Sequence, residues 1–506
     1  MAALCLATDL ALGFPFEHGL DATQIAMRLG DRLGIAPETA SETYYASLLS
    51  YCGCTADAET AAETFGGDLT THFVPVLFGS QREILAGVVR ALPDPDERAS
   101  VRAIQIARRL PKAGRGNRPH QVALCEVGEM LAEQLGLPAS IHGLFAYSTE
   151  RWDGKGLLRR AGREEIPLAM RIANVARDAA FQEVLGGTEH AARVVRERAG
   201  GAFDPEIAIC LADNVGEVLA GDRGPSAWDE TLACEPRPGL TLEGEAIDRA
   251  LAAMGAFADL VSPYLVGHSA GVADLAGAAA GRCGLSASAR TAIRRAGLVH
   301  DLGRVAVRAK VWQRPGPLSA DEWEKVRLHA YHGERVLARS AFLAALAPIA
   351  AAHHERLDGS GYHRGLSAAN LSLPARLLAA ADAYHAMTEP RPHREALTPD
   401  RAAEILGQEA GQGRLDPDAV AAVLEAVQQP VPRIERPAGL TEREVEVIRL
   451  LARGLQTKQI ARALEISIKT ADRHIQNAYR KIGVSTRAAA AVFAMEHGLV
   501  APPDNA

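Results

Sequence analysis

Residues 296–304 read AGLVHDLGR, an apolar segment that runs into an adjacent His-Asp pair, His300-Asp301. A second string, HHERLDGSGYHRG at 353–365, opens on adjacent His353 and His354. With His268 upstream, His329 between the strings and Asp382 beyond them, the set comprises five imidazoles and two carboxylates, with no thiolate close in the motif. That mixed nitrogen and oxygen set suits a pair of borderline divalent ions, iron or manganese rather than calcium. Two such ions about 3.5–4 Å apart activate water and stabilise charge on a phosphoryl oxygen during in-line attack. The expected reaction is phosphoester hydrolysis, with Asp301 bridging the ions, His300 capping one, and Asp382 with His354 completing the other half. His332 is an alternative ligand, but its helical offset from His329 points it elsewhere.

Working outward, the same anchors recur earlier in the chain. His18 precedes Gly34 by 16 residues and Gly53 by 35; His268 precedes Gly284 and Gly303 by the same intervals. Gly128 lies 22 before Glu150 in ERWDGKG, as Gly333 lies 22 before Glu355 in ERLDGSG. Arg171 and Arg376 each fall 18 after the Asp of those strings, Asp153 and Asp358. This is an internal duplication, with about 45 extra residues between Gly53 and Gly128. In the first copy the ligand positions hold Ser50-Tyr51, Leu124, Ser148-Thr149 and Arg177, with Asp178 one residue off. Only His18 survives, and one imidazole does not hold a metal.

Length and composition frame this reading. At 506 residues the chain is long enough for about three domains. Turn formers at 221–245 and three prolines at 428–439 mark the joints, giving segments 1–222, 246–428 and 438–500. Aromatics make up 5% and alternating β-branched runs are scarce, so the expected fold is all-α. Seven irregularly spaced cysteines do not make a disulfide framework. The first residues, MAALCLATDLALGF, lack the basic start of a signal peptide, and no apolar run reaches the ~18 residues of a membrane span. A cytoplasmic location is the expectation. Net charge is −7 overall, but the stretch 438–497 is net basic, which places any nucleic-acid contact there.

AGLVHDLGR, then the HxxxG at His329, then HHERLDGSGY, then the Asp of LLAAADAY followed by RP, resembles the HD-GYP family over about residues 262–425. The resemblance implies an all-α domain with a binuclear or trinuclear iron or manganese centre that hydrolyses cyclic dinucleotides, chiefly cyclic di-GMP. It implies His268, His300, Asp301, His329, His353, His354 and Asp382 as ligands. Arg304, Asp358, Gly361, Tyr362 and Arg391 would face substrate, with Asp301 and Arg304 in the catalytic positions. Three positions depart from the pattern. Arg304 stands where the family has Lys, and its longer planar head grips phosphate differently. His363 replaces the Pro of GYP, loosening a rigid turn. Tyr264 stands where trinuclear members place a Glu ligand, which favours two ions.

The carboxy-terminal string GLTEREVEVIRLLARG opens with a capping box, Thr441 and Glu444, before an apolar helical stripe at Val445, Ile448, Leu451 and Ala452. Thr457 is read as the cap of a short second helix and Ser467 as the cap of a third, the spacing of a helix-turn-helix. On the third helix Ala471, Ile475 and Ala478 face inward, leaving Lys469, Thr470, Arg473, His474, Asn477 and Lys481 outward, donors suited to phosphates and base edges. The whole string, 440–487, resembles a LuxR-type DNA-binding domain. The resemblance implies Lys469, Thr470, Arg473 and His474 in the major groove, Lys458 and Lys481 on phosphates, and a last helix at about 486–497 that supports a homodimer on two half-sites.

The expected architecture is therefore all-α: two HD-domain-like helical bundles in tandem, the first degenerate, then a small LuxR-type helix-turn-helix domain. The leading functional reading is a transcription regulator that binds and hydrolyses a cyclic dinucleotide and contacts double-stranded DNA. A catalytically silent metal- or nucleotide-sensing transcription factor is the alternative. A third reading makes the first copy the sensor.

Overall fold

The computed structural model describes residues 1–55, 65, 72, 74–94, 97–220, 226–431, 437–497 and 499. The stretches 221–225 and 432–436, inside the two expected joints, lie outside the described residues, as does part of the insertion between Gly53 and Gly128. Among the described residues the regular elements are helices, and β-pairing is confined to isolated bridges. The protein is all-α. None of the described helices is long and apolar enough to cross a membrane.

Internal packing divides the chain into two compact units. One comprises Met1–Leu265 with Leu302–Gln313; the other comprises Val266–Asp301 with the chain from Arg314 onward. The division falls inside AGLVHDLGR, between Asp301 and Leu302.

In the first unit α1 (Ala2–Leu12), α2 (His18–Leu33), α3 (Pro37–Leu48), α4 (Ala99–Gln134), α5 (Leu168–Gly186), α6 (Pro205–Asp213) and α7 (Glu245–Asp259) are the main helices. α2 packs on α3, α5 and α6, burying Ile25, Leu29, Ile172, Val175, Ile207 and Leu211. Its ends are set by backbone that cannot continue a helix: Glu17 before it has φ 79° and Gly34 after it has φ 62°. The short helical turn Leu302–Ala306 packs on α1 and α7.

The second unit begins with α8 (His268–Arg282), α9 (Ala287–Val299), α10 (His329–Leu337), α11 (Leu373–Thr388), α12 (Pro399–Gly411) and α13 (Pro417–Ala426). α8 repeats the device of α2, opening after Gly267 at φ 85° and followed by Gly284 at φ 68°. It packs on α9, α11 and α13. The hydroxyls of Ser286 and Ser372 cap α9 and α11 by accepting from Ala289 N and Ala375 N. Leu377 and Leu378 of α11 are fully buried, each contributing about 1.5–3 kcal/mol.

The same unit ends in α14 (Glu442–Ala452), α15 (Thr457–Ala463), α16 (Ile468–Ile482) and α17 (Arg487–Glu496). The Thr441–Glu444 capping box forms, and Ser467 caps α16 through Thr470 N at 3.0 Å. The cap of α15 differs from the expectation. Gln456, not Thr457, holds the position, in a reciprocal box with Gln459. The ring closes without the Gln456 side chain: Gln459 N donates to the Gln456 backbone carbonyl and Gln456 N donates to Gln459 Oε1, each at 2.8 Å, leaving Thr457 inside the helix. Ala471, Ile475 and Ala478 face inward, on Val447, Ile448 and Ala490.

The duplication read from spacing extends to contacts. α2, α3 and the turn Cys52–Thr55 correspond to α8, α9 and the turn Leu302–Ala306, each shifted by 250 residues. Arg171 pairs with Asp204 at 2.6 Å and donates to the Ile166 carbonyl; Arg376 pairs with Asp416 at 2.8 Å and donates to the Leu371 carbonyl. Asp204 and Asp416 also cap α6 and α13.

Candidate functional site

The seven expected ligands converge in the second unit. α8 contributes its first residue, His268; the end of α9 contributes His300 and Asp301; α10 opens on His329; His353 and His354 sit in the turns before the loop 355–366; α11 supplies Asp382. All are buried except His354, which is partly exposed. The side chains form two clusters that share a bridging residue. Asp301, His329, His353 and His354 make one, and His268, His300 and Asp382 the other, each with donor atoms within 4.8 Å of one another. Asp301 divides its oxygens between them: Oδ1 lies 3.2 Å from His329 Nε2 and 3.4 Å from His353 Nε2, while Oδ2 lies 2.8 Å from His300 Nε2 and 3.4 Å from His268 Nε2. Asp382 does the same on a smaller scale, with Oδ1 3.2 Å from His268 Nε2 and Oδ2 3.5 Å from His354 Nδ1.

Three rings are oriented from behind. His300, His329 and His353 each turn Nδ1 to the carbonyl three residues earlier, Gly297, Val326 and Ala350. A ring that gives its Nδ1 proton to a carbonyl presents a lone pair at Nε2. His329 Nε2 and His353 Nε2 nevertheless approach to 3.1 Å, lone pair facing lone pair, and His300 Nε2 faces a carboxylate oxygen. Nitrogen and oxygen donors gathered this closely suit a shared cation. The residues therefore fit a pair of divalent cations, with the two carboxylates neutralising half of their charge.

The electrostatics of the cluster are uneven. Burial opposes the charged form of His300, but Asp301 and Asp382 outweigh it and raise its pKa to about 9. Burial dominates at His353, which falls to about 4, and pushes His354 well below the usual range. Burial also works against the Asp382 carboxylate, yet His268 and His300 outweigh it and hold it well below the ordinary carboxylate range.

The expected substrate-facing residues separate. Tyr362 lies against His354, ring centroids 4.2 Å apart, with Trp323 at its edge. Arg391 is near the centre but donates to Glu389 Oε2 at 2.8 Å. Asp358 is buried in its own loop, where Oδ1 accepts from Ser360 N at 2.9 Å and from Ser360 Oγ at 2.6 Å. A Cβ on Gly361 would meet Glu355 Cα at 2.5 Å, so this glycine allows the loop to close on itself. The first copy has both features: Asp153 Oδ1 accepts from Lys155 N at 3.0 Å, and a Cβ on Gly156 would meet Glu150 Cα at 2.7 Å. Asp358 and Gly361 shape a loop that forms equally where no ligand set exists. Arg304 belongs to the first compact unit, buried, with its guanidinium 5.5 Å over the Trp312 ring and its carbonyl accepting from the indole N–H. His332 joins neither cluster. Tyr264 is 40% exposed.

Two side chains missed by the sequence reading complete the surroundings, His385 and Glu389. They fall three and seven residues after Asp382, His385 on α11 and Glu389 as its C-cap, a helical spacing that could have revealed them. With His268 they form a third close group of donors.

On α16, Lys469 and Arg473 are exposed and His474 is half-buried, while Thr470 Oγ1 lies 2.7 Å from Ser467 Oγ. Lys458 on α15 is exposed. Lys481 has its ammonium 2.6 Å from Glu444 and donates to the Gly439 carbonyl. Arg449 and Arg453 of α14 reach the carbonyls of Gln412 and Asp358.

The family described as HD domain matches residues 253–419, and the family described as bacterial regulatory proteins, luxR family, matches residues 438–494. The chain carries an HD domain and a LuxR-family domain. It is homologous to HD-GYP cyclic-dinucleotide phosphodiesterases. The 3'3'-cGAMP-specific phosphodiesterase 3 of Vibrio cholerae is 28% identical over 435 residues, which cover 84% of this chain and 94% of that protein. A cyclic di-GMP phosphodiesterase response regulator of Xanthomonas campestris is 39% identical over 158 residues, 31% of this chain and 41% of that one. The crystal structure of a cyclic GMP-AMP-specific phosphodiesterase of V. cholerae superposes with a TM-score of 0.57 at 24% identity, covering 85% of this chain and 97% of that chain, a shared fold.

Proposed function

We propose that the protein is a transcription regulator whose HD domain holds two divalent ions, iron or manganese, and hydrolyses a 3',3'-linked cyclic dinucleotide of guanine. The observation that carries this reading is Asp301, whose two oxygens face two separate imidazole groups. Such ions, when bound, supply Lewis acidity and an activated water for in-line attack on phosphorus. Asp301 would bridge them; His329, His353 and His354 would hold one and His268, His300 and Asp382 the other. Tyr362, against His354, offers a ring face to a guanine base. Arg391 is the phosphate-binding candidate beside the cluster. The sequence expectation of cyclic di-GMP widens to include 3'3'-cGAMP, since the V. cholerae relative that aligns over most of its length is named for that substrate.

The reader would bind double-stranded DNA through Lys469, Thr470, Arg473 and His474, with Lys458 on a phosphate. Lys481, committed to Glu444, contributes instead to the bundle. Val492 and Met495, 47% and 51% exposed on α17, support a dimer through that helix. Arg449 and Arg453 connect the reader to the loops 412–415 and 357–362, and the second of these carries Tyr362. That route would let occupancy of the centre alter how the reader is presented.

The test is anaerobic loading with iron or manganese, followed by assays for hydrolysis of 3'3'-cGAMP and cyclic di-GMP. Asp301→Ala should shed metal and lower turnover by at least ~10³-fold. Loaded wild-type protein that neither binds nor cuts either nucleotide sinks the nucleotide reading. The second reading, a silent sensor, is favoured by the burial of Arg304 over Trp312. It prevails if Asp301→Ala changes DNA affinity while wild type binds nucleotide without cutting it.

A further inference from the structure

His268 differs from the other oriented rings. His300, His329 and His353 give Nδ1 to backbone carbonyls, whereas His268 turns Nδ1 to a side chain, Glu389 Oε2, at 2.8 Å. Its Nε2 faces Asp382 Oδ1 and Asp301 Oδ2. The Glu389 carboxylate is itself held on both oxygens: Arg391 donates to Oε2 at 2.8 Å, and His385 Nδ1 lies 3.1 Å from Oε1. A Cβ at position 271 would collide with the His385 ring, so Gly271 of α8 is what admits that imidazole beside His268.

We propose that Glu389 is a positioning residue of the metal centre: it takes the Nδ1 proton of His268 in a hydrogen bond, fixes the ring, and leaves the Nε2 lone pair for a metal ion. The physical reason is that a neutral imidazole has one lone pair, and a carboxylate on Nδ1 both selects the tautomer and makes Nε2 a stronger donor. Ligands held by carbonyls three residues back in the chain have their orientation set locally. His268, the first residue of α8, has its orientation set by a residue 121 positions away at the end of α11. Glu389 would thus tie one half of the centre to Arg391, and His385 would steady the carboxylate rather than bind metal.

This inference rests on the two-ion reading, and the experiment separates the two. Manganese binding to the full-length metal-free protein is titrated by electron paramagnetic resonance, with total metal counted by plasma emission. Glu389→Ala and the isosteric Glu389→Gln should weaken one of two ions about 10–100-fold, leave the other, and keep the melting temperature of the metal-free protein. Glu389→Asp should recover part of the affinity. Two ions bound at wild-type strength in Glu389→Ala and Glu389→Gln, while His268→Ala loses one, overturn the positioning role and leave the centre standing. If His268→Ala also keeps both ions, the ligand assignment falls and this inference with it. Loss of a whole ion in His385→Ala overturns it too, because His385 would then be a ligand.

Discussion

The two copies of the helical repeat keep the same frame and differ in what fills it. Both open their first helix after a left-handed residue, both close an Arg-Asp pair behind the long helix, and both fold an Asp-Gly loop onto a buried glutamate. At the ligand positions the second copy has His300-Asp301 and Asp382, while the first has Ser50-Tyr51 and Arg177. Arg177 is buried, donates to the Ser148 carbonyl at 2.7 Å, and lies 5.0 Å and 5.2 Å over the rings of Tyr51 and Phe78. One guanidinium between aromatic faces thus provides the positive charge there. What survives in the copy without ligands is architecture, and what is confined to the other is chemistry.

The sharpest way to break that comparison is to exchange roles at the matched positions Arg177 and Asp382. Arg177→Ala should cost about 3–5 kcal/mol in denaturant unfolding, by emptying a buried, aromatic-lined site, and should leave the metal content unchanged. Asp382→Ala should do the reverse, shedding metal with a smaller loss in the metal-free protein. Equal metal loss in both variants would erase the distinction.

His18 gives a pH test of the same idea. It is buried against Phe14 and Phe181, and burial lowers its pKa to about 4 from an ordinary 6.5. The unfolded chain therefore takes up the proton first as pH falls. Stability is complete above pH ~6.5 and declines between there and pH ~4, by up to ~3 kcal/mol. Denaturant midpoints across that range should show the decline in wild type and a shallower one in His18→Leu.

The smallest expected effect concerns the shared frame. Arg171→Ala and Arg376→Ala each break a partly buried pair with an aspartate that also caps a helix, and each should cost about 1–3 kcal/mol by chemical denaturation. A large cost in one copy alone would show that the frames carry different loads.

Much of this was readable without coordinates. The helical class, the repeated spacing, the seven candidate donors that the fold brings together and the LuxR-family domain were all legible in residue types and intervals, because helices are local and His-Asp and His-His neighbours are rare. The start of α15 was misread because Gln456 closes it through its backbone and the Gln459 side chain, which leaves no Ser, Thr, Asp or Asn signal at the cap. The pairing of Lys481 with Glu444, 37 residues away, lies beyond the reach of any local pattern.

The sequence by itself singled out seven candidate donors, since donor chemistry belongs to side chains, and the copy that carries them; His385 and Glu389 came only with the structure. Only the tertiary structure decided how they act together: that Asp301 splits its oxygens between two groups, that Asp358 and Gly361 serve the loop, and that Glu389 stands behind His268. Those relations join residues as many as 121 positions apart, and only the packing of α8 against α11 brings them within hydrogen-bond reach.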